Sequence, residues 1–220
     1  MLKPSAASTI DWTGSSVTVD TASSVTVDTA DISGKSVATN QKGALLVEVA
    51  LIGRVYGTLL FAPPDTPVVA EMIGLLGDSS SPELLKEEYQ RLFIGPNHLD
   101  APAWGSVYLD RDNVLFGSST FELRSWLHWQ GITIRNERRE PEDQIGKMLL
   151  LMAWLAEEKP HLLAEYLSAH LMPWAPRYLD LLEANASLPL YKRIARDLRD
   201  SLADIMERLG IQAVRKRLYF

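Results

Sequence analysis

Tyr89 to Trp126 reads YQRLFIGPNHLDAPAWGSVYLDRDNVLFGSSTFELRSW, and the rest of the chain is read outward from it. It begins and ends with helical character, but no helix period explains the middle. Phe93, Ile94, Leu99, Trp104, Val107, Tyr108, Leu109, Val114, Leu115 and Phe116 make that middle apolar. Gly95, Pro96, Pro102, Gly105 and Gly117 cut it into turns. Surface connections are usually short and polar. A long apolar loop must therefore pack into the core, line a groove, or do both. It is either a buried connector or a binding surface held between helices.

On both sides of this loop the text is helical. ALLVEVALIGRVYGTLLF, from Ala44, is apolar nearly all round except at Glu48 and Arg54, which predicts a helix buried on most faces. Ala62-Pro63-Pro64 ends it. A short helix opens at Thr66 or Pro67 and runs to Leu76, before Gly77. Ser81-Pro82 places a cap and a first-turn proline before a helix that carries Leu84, Leu85, Tyr89 and Leu92 inward. After the loop, Ser119-x-x-Glu122 forms a capping box for a helix stopped by Gly131. Ile132 to Arg139 reads as a charged connector. Pro141 then opens a helix with Glu140, Glu142 and Asp143 in its first turn, where acidic groups complement the dipole. Further helices start at Pro160, interrupted at Pro173 and Pro176, and at Ser187-x-Pro189, the latter ending near Gly210. No convincing strand comes after residue 40. The expected fold is an all-α bundle, residues 41–220, with one long irregular segment at about 94–118.

Residues 1–40 differ in composition. SSVTVDTA occurs twice in tandem, at Ser15–Ala22 and Ser23–Ala30, with little apolar mass. This predicts a flexible extension without stable contacts to the bundle. Gly34-Lys35-Ser36 imitates the end of a phosphate-binding loop, GxxxxGK[ST], but the position of the first glycine is Thr29. Against a nucleotide-binding reading, kept as the alternative function, that threonine should break the loop and Gly34 to Ser36 should be disordered.

The 220 residues are 46% hydrophobic, enough for a real core. No uncharged apolar run approaches about 18 residues, so no transmembrane helix or stable membrane insertion is expected. MLKPSAASTIDW has no apolar core and does not read as a secretory signal. The absence of cysteine excludes disulfides, thiol catalysis and thiolate metal sites from this chain, and it fits a cytoplasmic location. The net charge of −6 argues against general nucleic-acid binding and favours a basic partner.

Catalytic patterns are poor. His98, His128, His161 and His170 form no helical metal pair, and no metal site is expected. Ser106 lies in WGSVY, without the flanking glycines of a nucleophile elbow. Glu140, Glu142 and Asp143 are close enough in sequence to be an acid–base group or partners of a helix start. Among the tryptophans, most of which should be core, Trp104 stands out because Ala-Pro precedes it and Gly-Ser comes after.

RLFIGP, PAWGSVYLDRDNVLFGSSTFELRSW, EPEDQIGKMLLLMAWL and HLMPWAPRYLDLL, taken together and in this order, resemble the TorD/DmsD family of redox-enzyme maturation chaperones, of the dimethyl sulfoxide reductase type. The resemblance spans Ala44 to Leu209. It implies an all-helical protein without catalytic activity or cofactor. Its implied partner is the twin-arginine leader of a molybdenum-containing reductase subunit, with the export machinery a further one. The implied leader-binding site is the loop around Trp104–Asp110 with the turn Glu140-Pro141-Glu142-Asp143-Gln144, where Gln144 replaces the family's histidine. Asn97 stands where this type tends to have tryptophan after Gly-Pro, and Tyr108 stands where it often has tryptophan.

Physical chemistry adds detail to that implication. A leader with a charged pair and an apolar segment needs an apolar groove and carboxylates. Phe93, Trp104, Tyr108, Leu109 and Phe116, beside the turn residues Gly95, Pro96, Gly105 and Ser106, are candidates for the first. Glu140, Glu142, Asp143 and Asp110, flanking Pro141 and Gln144, are candidates for the second, through charge-assisted bonds.

Overall fold

The computed structural model describes residues 8–11, 34–95, 98–135 and 140–220. The fold is all-α. In chain order it has α1 (Gly34–Phe61), α2 (Pro67–Leu75), α3 (Pro82–Tyr89), α4 (Gly105–Leu109), α5 (Ser118–Trp129), α6 (Ile145–Glu158), α7 (Leu163–Tyr166), α8 (Ala175–Asn185) and α9 (Pro189–Leu209). Wide turns at Gln90–Ile94 and Leu167–Leu171 extend α3 and α7.

The central contact is α1 against α6. A Cβ at Gly53 would come within 2.5 Å of Leu149 O, and one at Gly146 within 2.7 Å of Gly57 O. Glycine thus lets the two backbones touch. Leu45, Val49, Leu59 and Leu60 of α1 meet Ile145, Leu149 and Met152 of α6 in one core, which continues through Leu179 and Leu182 of α8 and Leu198 and Leu202 of α9. Allowing for its few charges, Asn40–Phe61 is long and apolar enough to cross a membrane by length and composition, with mean hydropathy 1.8; the criterion of an uncharged run passes over it.

Punctuation obeys the sequence at α2, α3 and α9. Pro67 opens α2, the Ser81 hydroxyl accepts from Leu84 N at 3.3 Å, and Gly77 and Gly210 end their helices with φ of +68° and +65°.

Other expectations are corrected. α1 begins at Gly34, ten residues before the apolar run, so Gly34–Ser36 form its first turn rather than an irregular loop. Thr29 and the tandem repeat lie outside the described residues. Leu84 is half exposed, because α3 turns Leu85 and Tyr89 inward instead. The connector after Gly131 contains a strand: β2 (Ile132–Arg135) pairs in parallel with β1 (Ser8–Asp11), with Ile10 opposite Ile134. Ile10 and Ile132 are buried in the core, so residues 8–11 are not free of the bundle. Alternating Ile-Thr-Ile carries that signal.

The capping box at Ser119 does not form. α5 starts one residue earlier, and the Asp110 carboxylate accepts from Ser118 N at 2.7 Å and from Ser118 Oγ at 3.1 Å. Those bonds, the main-chain one first, hold the Asp110 carboxyl below its ordinary range. Nor does Pro141 open α6. That helix starts at Ile145, with the Gln144 side chain as its cap, so the acidic residues precede the helix instead of forming its first turn. Trp126 and Trp174 are core, whereas Trp129 is exposed.

Candidate functional site

The long loop folds back onto the turn before α6. Ile145 N donates to Ala103 O at 2.8 Å, and Gly105 N donates to Asp143 O at 3.0 Å. Trp104 and Gln144 thereby face each other in a single antiparallel bridge. Gly105 is required at this crossing, since a Cβ there would lie 2.8 Å from the Trp174 ring.

The Asp143 carboxylate ties the helices beyond this crossing together. Its Oδ2 accepts from Ser106 N at 2.6 Å, at the start of α4, and from Thr120 Oγ1 at 3.0 Å, in the first turn of α5. Its Oδ1 is buried and has no hydrogen-bond partner among the described residues. At 3% exposure this carboxylate is not a surface charge. Burial pushes its pKa up, and the bonds from Ser106 and Thr120 oppose the shift without cancelling it. Asp143 lines a small cavity together with Gly105, Leu109, Leu123, His170 and Lys216. Trp104 is half-buried at its bridge to Gln144, and its indole Nε1 lacks a partner among the described residues.

The other candidates separate into those near this centre and those outside it. Gln144 is structural: its Oε1 accepts from Lys147 N, and its Nε2 donates to Leu60 O at the end of α1, both at 3.0 Å. The Glu142 carboxylate accepts from Arg124 Nε at 2.6 Å, and Glu140 pairs with the buried Lys147 at 3.2 Å. These two carboxylates and Asp110 therefore already hold internal donors, whereas Asp143 keeps a buried oxygen without a bond among the described residues. Pro141 is buried, and Leu109 is half-buried against the core.

Tyr108 is fully buried, stacked on Trp174 at 5.5 Å, and so is not an exposed wall. Phe93 lies elsewhere in the core, tilted on Tyr89 and Tyr191 at 4.9 and 5.7 Å. Gly95 ends the turn after α3, with φ of +92°. Pro96 is outside the described residues. Phe116 is exposed at a positive φ of +59°, and the Arg124 guanidinium lies 5.3 Å above its ring and 5.7 Å above that of Phe121.

Several contributors escape a reading of the sequence. Thr120 reads only as helix text. His170 and Trp174 both fall inside HLMPWAPRYLDLL, a block that carries the resemblance without a site role. Burial holds His170 down to about 4; Lys216 adds to the shift and Glu122 opposes it. Trp126 lies 5.2 Å from the His170 ring, and the Trp174 indole N–H donates to His170 O at 3.0 Å. Lys216 belongs to the basic stretch after α9, whose sequence signals only charge.

Comparison with known proteins places this architecture. The family model described as nitrate reductase delta subunit matches residues 64–180. The chain is 38% identical over 195 residues to the Tat proofreading chaperone DmsD of Salmonella typhi, covering 78% of this chain and 96% of that protein. The chaperone protein YcdY of Escherichia coli is 25% identical over 186 residues, covering 74% and 96%. These relatives are named as chaperones, not as enzymes. With a family model over more than half its length and a relative matched almost end to end, the chain belongs to the TorD/DmsD family of redox-enzyme maturation chaperones.

Proposed function

We propose that this chain binds the twin-arginine leader of a molybdenum-containing reductase subunit of the dimethyl sulfoxide reductase type. It holds that subunit in the cytoplasm until maturation is complete and then yields it to the export machinery. The observation that supports this reading is the crossing of the loop over the turn before α6, which brings Trp104 onto Gln144 and Gly105 and Ser106 onto Asp143. A half-buried indole stands at this crossing, and Asp143, whose Oδ1 has no partner among the described residues, lines a cavity. A guanidinium reaching that oxygen would form a charge-assisted bond in low dielectric, and the indole would cover the neighbouring apolar side chain of the leader. Arg124, held between Glu142 and the Phe116 ring, marks a second place where a guanidinium and aromatic groups already meet.

Release to an export machinery requires moderate affinity, near 1 μM, or about −8 kcal/mol. Calorimetric titration with a panel of leader peptides tests the reading. The cognate leader should bind in that range, and its twin-lysine version should bind more weakly. Trp104→Ala should cost roughly 2 kcal/mol of leader affinity if the indole is a hot spot. Equal capture of leader-bearing and leaderless reductase would overturn the proposal.

A further inference from the structure

We propose that residues 211–220 occupy the leader groove as an internal competitor, a leader-like peptide that the client's leader displaces. The inference rests on the leader-binding reading above. After Gly210 the chain forms no helix or strand, yet it is tied down along its length. The Ser168 hydroxyl donates to Gln212 O at 2.6 Å, and Val214 N donates to Ser168 O at 2.9 Å. Tyr219 N donates to Tyr108 O at 2.9 Å, inside the proposed site. Main-chain bonds of this kind are how a groove holds a peptide while side-chain pockets select it.

Two side chains turn inward. Lys216 pairs with Glu122 of α5 at 2.7 Å and lines the cavity that contains Asp143. Phe220 sets its ring edge-on to Tyr108 at 5.5 Å and lies 6.1 Å from the His98 ring. Arg215, Arg217, Leu218 and Tyr219 remain exposed. The order Arg215-Lys216-Arg217-Leu218-Tyr219-Phe220, basic groups and then apolar ones, is the chemistry of a twin-arginine leader. The groove is therefore held by a cation at Glu122 and an aromatic ring at Tyr108. A leader that competes for it must offer a cation and then an apolar residue at similar reach. The Lys216–Glu122 pair lies partly in water and is screened there, which suits an occupant that has to leave.

An occupant present nine-tenths of the time weakens apparent leader affinity about tenfold, because only the uncovered fraction binds. The test is calorimetric titration of a cognate leader peptide into three chains: the full chain, a chain ending at Gly210, and the full-length double variant Lys216→Ser/Phe220→Ser. We expect the second and third to bind about tenfold more tightly, with melting curves showing that they fold. A synthetic peptide of residues 212–220 should compete with leader on the shortened chain. Should the shortened chain fail to fold, the double variant decides. Unchanged or weaker leader binding by a folded variant overturns the inference. Adding Trp104→Ala to each chain separates the two readings. If it weakens leader binding while the variants bind like the full chain, only the internal competitor is wrong. If it has no effect anywhere, or no leader binds, the leader site is wrong and the inference falls with it.

Discussion

Ser106 N donates to Asp143 Oδ2 at 2.6 Å across 37 positions of sequence, and this bond joins the long loop to the turn before α6. One carboxylate thus does two things: Oδ2 pins the starts of α4 and α5, while Oδ1 stays without a partner among the described residues. Asp143→Asn separates the roles. An amide oxygen can still accept from Ser106 and Thr120, but an NH2 in place of Oδ1 cannot accept from a guanidinium. Burial has raised the Asp143 pKa, so the folded state holds its proton to higher pH than the unfolded state does. Stability is therefore lost as pH rises from the ordinary aspartate range through the folded value, and Asn removes that loss. The variant should melt at or slightly above the wild-type temperature at pH 7. Its leader affinity should fall by roughly ten- to a hundredfold, the worth of a bond to a charged group. Because the carboxylate is buried, high salt should leave most of that loss in place. Denaturation and peptide titration at two salt concentrations check both statements.

Gly105→Ala probes the same crossing from the other side. The added methyl would meet the Trp174 ring at 2.8 Å, and that ring is packed on Tyr108 and Tyr178. The cost should be about 1–3 kcal/mol, as for overpacking elsewhere. A urea titration measures it, and a shift in tryptophan emission at native conditions should accompany it. Gly43→Ala is the control, since nothing lies within 4 Å of a Cβ there.

The helices are legible in the sequence because their signals are local. Pro67, Ser81-Pro82 and Gly210 act on the residues beside them, and the apolar faces of α1 and α6 repeat at helical spacing. The loop is legible only as an anomaly. That Trp104 meets Gln144 comes from the family resemblance and not from any local rule, because the contact is made by main-chain groups. Two local signals mislead. Ser119-x-x-Glu122 has the text of a capping box, but Asp110 reaches Ser118 first and Glu122 is drawn to Lys216. Acidic residues around Pro141 look like a helix start, yet Gln144, whose amide can both accept and donate, caps the helix and ties it to α1. Tyr108 reads as a groove wall but is fully buried, stacked on Trp174 and met edge-on by Phe220, which lies beyond the last helix where no local helix signal places it.

His170 gives a pH prediction. Its folded pKa, about 4, lies below the ordinary imidazole value because of burial and the nearby Lys216. As pH falls through the ordinary histidine range toward 4, the unfolded state gains a proton that the folded state does not. Stability should therefore fall across that window and be fully present above it. His170→Gln, which cannot titrate, should flatten the dependence between pH 7 and pH 5. Urea midpoints measured at the two pH values for both chains decide the matter. Equal slopes would show that another group carries the dependence.

Ile10 carries a prediction that runs against the composition of its segment. Residues 1–40 offer little apolar mass, and on that ground their removal should leave the melting temperature nearly unchanged. The structure instead buries Ile10 at 6% exposure and pairs its strand with β2 at the end of α5, where Ile132 is also core. Four residues cannot form a stable pair alone, so the strand depends on its isoleucine docking into the bundle. Ile10→Ala removes buried methyl groups and should cost about 2 kcal/mol, near the lower end for such truncations. For a domain of this size that corresponds to a fall of roughly 4–8 °C in melting temperature. Thr133→Ser, on the exposed face of β2, should change little. A scanning calorimetry series of wild type, Ile10→Ala, Thr133→Ser and a chain starting at Gly34 resolves the question. Deletion and Ile10→Ala should lower the melting temperature by similar amounts. If the deletion costs nothing, the strand pair contributes nothing to stability and the compositional reading of the segment stands.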